Sequence, residues 1–177
     1  MEISFEKWHG CSNDFVLVWT RSGTMIKESL RRNASQICDR HQGIGADGIL
    51  VFTEETSSSE TINGDLTIIN RDGSFAAHCG NGARCLVASV YKHYKERGRR
   101  LDDDERYIDF TIEDKYLRGQ VLRNKESTSW VGIHMGQAQL NNANPWHQQA
   151  VDTTKSILKD FKIQHSNINT CELANQH

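Results

Sequence analysis

A chain of 177 residues can build one sizeable core or two small ones, and 37% hydrophobic residues with 13 glycines is an ordinary globular composition, not a disordered one. The net charge of −2, with basic residues scattered, argues against a nucleic-acid partner; the one dense basic group, KERGRR at 95–100, falls at an expected helix end. No apolar run approaches a membrane span, MEISFEKWHG lacks the basic and apolar regions of a signal peptide, and five irregularly spaced cysteines read as reduced thiols, so a cytoplasmic chain with no membrane partner is expected.

In chain order, β-rich or alternating runs predict strands at 3–8, 15–19, 49–52, 66–69, 107–112, 119–122 and 130–134. A helix is predicted over 27–40. A stronger one follows the string AAHCGNGARC, where Ala83, Leu86, Val87, Val90, Tyr91 and Tyr94 repeat at i, i+3, i+4, i+7, i+8 and i+11. Gly98 suits its C′ position, and Lys95, Arg97 and Arg99 suit the negative end of its dipole. Many short strands with one strong amphipathic helix predict an α+β fold, a curled antiparallel sheet or barrel wrapped around that helix. Residues 137–154, rich in Asn and Gln and holding the only proline, read as a connection; a short helix at 154–161 and a strand-like piece near 168–173 close the chain.

GIGADG at 43–48 fits a dinucleotide fingerprint in letters only. That fingerprint needs a strand before it and a helix after it, and here the order is reversed, so a glycine turn is expected. Cys38 with His41, and Cys79 with Cys85, lack the doubled close spacing of zinc ligands and read as loose thiols and a polar histidine. Cys79 has two readings, a small buried apolar residue or a thiol beside an anion site. The second draws on three features. A helix begins just after it, so the N–H groups of Gly80, Asn81 and Gly82 would point past the sulfur; two glycines allow a carboxylate to approach the backbone; and NRDGS at 70–74 is a turn between the preceding strand and the thiol.

KWHGCSNDFVLV (7–18), CDRHQGIGADGILV (38–51), NRDGSFAAHCGNGARC (70–85) and ELANQH (172–177), in that order, resemble the diaminopimelate epimerases across the whole chain. Proline racemases share the fold without the Asn-Gly-x-Arg-Cys continuation. The resemblance implies an isomerase that works without pyridoxal phosphate or any other cofactor. Two cysteines stand on opposite faces of the α-carbon of diaminopimelate, one taking a proton as thiolate and the other returning one as thiol. By position, Cys79 resembles the first of these and His177 a histidine beside the pair. Asn13, Asn70 and Asn175 resemble side chains that hold the substrate, and Gly80 and Asn81 the backbone donors for its α-carboxylate.

The chain departs from that pattern at Cys11 and Ser12, where Leu-Gly is usual, at Phe75 and Ala77, where acids are common, and at Gln176, where proline is usual. The family pattern continues into a second domain carrying the partner cysteine and a substrate arginine. Residues 1–177 are therefore expected to be its N-terminal domain, with the C-terminal domain as missing partner and a homodimer also allowed. Such a half-site is expected to be inactive alone; the alternative is a catalytically silent binding or interaction domain. A helix terminus contributes about 0.3–1 kcal/mol, less than the roughly 1.36 kcal/mol of one pKa unit, so a working thiolate needs a further contribution, for which His177 and His78 are the candidates. Cys79 is expected to be the most reactive thiol. Cys85 lies inside its helix, Cys38 at a helix C-terminus, and Cys11 and Cys171 have no cation that sequence alone supplies.

Overall fold

All seven β-rich segments form strands, because each alternates or concentrates the branched and aromatic residues that fill a pleated surface. They are β1 (Glu6–Gly10), β2 (Asn13–Thr20), β3 (Gly48–Glu55), β4 (Asn63–Asn70), β5 (Tyr107–Ile112), β6 (Lys115–Lys125) and β7 (Thr128–His134), joined in one sheet in chain order. The computed structural model describes residues 2–21, 23–55, 63–98, 107–125 and 128–135. The chain divides into two units, Met1–His134 and Met135–His177, and the seven strands belong to the first. The connection, helix and strand expected beyond residue 136 lie outside the described residues, as do Cys171, Asn175 and His177.

The expected curled sheet around a central helix is present, but it is mixed where an antiparallel one was expected. Four neighbouring pairs are antiparallel, but β2 and β3 run parallel, as do β4 and β5. A parallel pair needs a crossover. Helices α1 (Gly23–Arg32) and α2 (Ala34–Ile37) lie in the first crossover, and α3 (Gly80–Glu96) in the second. The single helix expected over 27–40 is broken at Asn33, whose side-chain Nδ2 donates to the Ser29 carbonyl at 2.8 Å and so competes with the helical ladder.

Alternate residues of the central strands feed two cores. Phe15, Leu17, Leu50, Phe52, Leu66 and Ile68 pack with the α3 stripe of Ala83, Leu86, Val87, Val90 and Tyr94. On the other face Val16, Val18, Ile49, Val51 and Ile69 pack with Leu30, Ala34 and Cys38. Each fully buried aliphatic or phenyl side chain contributes roughly 1.5–3 kcal/mol, so a sheet covered on both faces holds its register firmly. Gly119 of β6 lets α3 sit close, since a Cβ there would fall 2.3 Å from Val87 Cγ2. The helix ends as expected: Gly98 has φ +75° and its N–H donates to the Lys95 carbonyl at 3.0 Å. Among the described residues no helix is long and apolar enough to cross a membrane.

One carboxylate pins β1 to α3. Glu6 accepts from Trp8 Nε1 at 2.8 Å, from Lys92 Nζ at 2.9 Å and from the buried Ser89 hydroxyl, with His93 Nε2 at 3.3 Å. Trp19 completes the cluster, donating to Ser89 at 3.2 Å and stacking on His93 at 4.3 Å. Burial pushes the Glu6 carboxyl up, but the Ser89, Lys92 and Trp8 hydrogen bonds outweigh it and lower its pKa from 4.5 to about 2. A depressed folded-state value stabilises the fold above the unfolded one, so this contribution is full above about 4.5 and fades toward 2. Glu6→Gln is expected to cost about 1.5–3 kcal/mol at neutral pH. Chemical denaturation as a function of pH should show the gap to the unaltered chain narrowing between 4.5 and 2; a gap that does not change with pH would show that the carboxylate charge plays no part.

Candidate active site

Cys79 is the N-cap of α3. Its backbone is extended, at φ −150° and ψ 99°, and its Sγ accepts the Gly82 N–H at 3.3 Å. This is the position of a capping oxygen, here occupied by sulfur. Gly82 is buried beneath it, where a Cβ would press on the end of the Leu50 side chain at 2.9 Å and touch the sulfur at 3.5 Å. The N–H groups of Gly80 and Asn81 precede any possible intrahelical acceptor and take none among the described residues. No acidic residue lies in that first turn to neutralise it. Half-buried Cys79 therefore stands beside two outward N–H groups at the positive end of a 17-residue helix.

The sheet delivers two of the expected substrate-binding asparagines to one of its ends. Phe15 pairs with Gly48 and Gly48 with Asn70, so the start of β2, the start of β3 and the end of β4 lie together. Asn13 opens β2 after a two-residue turn in which Cys11 and Ser12 both have positive φ, +52° and +68°. The turn packs on α3, where a Cβ on Gly10 would lie 3.0 Å from the Asn81 carbonyl and 3.4 Å from Cys85 Sγ. Next to Asn13, Asp14 accepts from Arg40 Nη2 at 2.6 Å and pairs with Lys7 at 2.8 Å, while Asp47 accepts both Arg40 Nη2 at 2.8 Å and the Asp14 N–H at 3.0 Å. Arg40, then Lys7, holds the Asp14 carboxyl well below the usual range. GIGADG forms the expected glycine turn between α2 and β3, with Gly45 at φ +77°.

Asn70, the last residue of β4, donates from Nδ2 to Ser74 Oγ at 2.9 Å, and its carbonyl accepts the Gly73 N–H at 2.9 Å. The turn NRDG returns the chain toward Cys79, with Gly73 at φ +84°. An open depression of about 530 Å³, lined by Ser35, Asp47, Asn70, Arg71 and Asp72, reaches Asn70 but not Cys79.

The other thiols differ as burial dictates. Burial raises the Cys85 pKa to about 12, with Cys79 adding to the effect and Arg84 opposing it; burial likewise raises Cys38, now the C-cap of α2. Two expectations need correction. His78 is not an added positive charge: burial first, then the Lys115 ammonium 3.3 Å from its Nε2, lowers its pKa, and its Nδ1 is buried without a hydrogen-bond partner. Cys11, expected to lack a cation, has Arg84 Nη2 at 3.4 Å from its Sγ. Sequence reasoning missed Arg84 although it stands in the quoted motif. Its i, i+3 spacing from Asn81 was the available signal.

Residues 5–139 match the family model for diaminopimelate epimerase. The chain belongs to the diaminopimelate epimerase family. It is 34% identical over 148 residues to the diaminopimelate epimerase of Alkaliphilus metalliredigens, covering 80% of this chain and 46% of that one. It is 35% identical over 153 residues to that of Xanthomonas axonopodis pv. citri, covering 84% and 52%. The chain thus spans about half the length of these epimerases. In fold it is similar to a solved protein of Pseudomonas aeruginosa described as a predicted epimerase, with a TM-score of 0.60 at 9% identity, covering 97% of this chain and 57% of that one.

Proposed function

We propose that the chain supplies one face of a cofactor-independent epimerase that interconverts LL- and meso-diaminopimelate, a step of lysine and cell-wall precursor biosynthesis. The observation that carries the reading is the Cys79 sulfur capping α3 beside the open N–H groups of Gly80 and Asn81. Those amides receive the α-carboxylate, and Asn13 and Asn70 hold the remainder of the substrate. Asn175 and His177, outside the described residues, take the roles their motif suggests, a substrate side chain and a histidine beside the thiol. A cytoplasmic setting suits the four cysteines among the described residues, all of them free thiols.

The chemistry follows from the placement. The Cys79 thiolate takes the α-proton, forming an S–H bond while the C–H pair stays on the α-carbon and delocalises into the carboxylate. Backbone donors and the helix dipole stabilise that developing charge. Inversion then needs a thiol on the opposite face to return a proton, and because the chain spans about half of its relatives' length, that thiol is assigned to the remaining half of the family's architecture.

Incubating the purified 177-residue chain with LL-diaminopimelate in deuterium oxide tests this. The expected result is deuterium at the α-carbon with no accumulation of the meso isomer. Net conversion to meso at the rate of exchange would contradict the one-sided assignment. No exchange, with binding retained, would instead support a catalytically silent binding domain.

A further inference from the structure

The N-terminus of α3 carries more positive charge than its own dipole supplies. Arg84 is half-buried one turn into the helix, and helical side chains lean back toward the N-terminus. Its Nη2 accordingly reaches Asn81 Oδ1 and also lies 3.4 Å from Cys11 Sγ. Among the described residues Arg84 forms no ion pair with a carboxylate. A guanidinium over the positive end of a helix is unfavourable until an anion arrives. The groups whose charge reaches buried Cys85 below it are Cys79, Arg84 and Cys11, so three thiols and one cation share this corner.

We infer that Arg84 is a positioning residue for the substrate carboxylate. By holding the Asn81 side chain and the Cys11 turn at once, it fixes the first turn of α3 against the hairpin that presents Asn13. This deepens the function proposed above and rests on it. The hairpin and helix already approach so closely at Gly10 that small rotations of either would move the Asn81 amide relative to Asn13. Both contacts come from Nη2, whose two N–H bonds are fixed in the guanidinium plane and can serve one acceptor each, whereas the N–H bonds of an ammonium rotate freely.

The test compares Arg84→Met and Arg84→Lys in the full chain by amide NMR, with and without LL-diaminopimelate. Without ligand, Arg84→Met is expected to shift the amides of Asn81 and of 11–13 together. With ligand it should weaken binding about tenfold, the equivalent of about 1.4 kcal/mol, at an unchanged melting temperature, and Arg84→Lys should recover only part of this. Shifts confined to the neighbours of Asn81, or unchanged affinity in Arg84→Met, would overturn the inference. If the unaltered chain binds no diaminopimelate, the proposed function fails, and the ligand-free shifts still decide whether Arg84 clasps the two elements.

Discussion

Cys79→Ser is expected to slow α-deuteration of diaminopimelate by about 10²–10⁴-fold, the range supplied by a positioned proton-transfer group. Serine is a favoured N-cap, so its hydroxyl can take over the Gly82 N–H now accepted by sulfur and leave α3 intact. It is, however, far too weak an acid to present an anion at neutral pH. The substitution therefore separates chemistry from architecture: binding and thermal stability should stay close to those of the unaltered chain while exchange collapses. Exchange at the original rate in Cys79→Ser, measured by mass spectrometry of recovered substrate, would remove Cys79 from the reaction.

The largest stability effect is expected at Phe52→Ala. Phe52 is fully buried on β3, packs in the α3 core and meets Trp19 edge-to-face with centroids 5.0 Å apart. Losing it removes apolar burial, leaves a cavity and unseats the tryptophan that stacks on His93, for about 3–5 kcal/mol. Denaturant unfolding gives the value directly. A loss below about 1 kcal/mol would show that the sheet does not close tightly around α3, because refilling such a cavity is rarely complete.

The strands and α3 were legible because their signals are local: alternation, a 3.6-residue stripe, a C′ glycine. The parallel pairings were also written in the sequence but needed a different reading. FVLV in β2 and ILVF in β3 are continuous apolar runs, the pattern of strands covered on both faces, and here α3 covers one face while α1 and α2 cover the other. At the Asn33 break the side chain shares the Ser29 carbonyl with its own backbone N–H, a bond that propensity alone does not foretell. At the site, the Cys79 cap was legible from Cys-Gly-Asn-Gly. The state of His78 was not, because it depends first on burial in the folded chain and then on Lys115, 37 residues away. Nor was the Cys11 contact with Arg84, which exists only once the β1–β2 turn is packed on the helix, 73 residues along the chain.

The most direct test of the account is an amide NMR titration of the full chain with LL-diaminopimelate, because it reports the site without requiring turnover. The largest shifts are expected at Gly80, Asn81 and Gly82, with Asn13 and Asn70 following at the same ligand concentration. Saturating shifts confined to Ser35, Asp47, Arg71 and Asp72, which line the neighbouring depression, would contradict it by placing the ligand away from the sulfur.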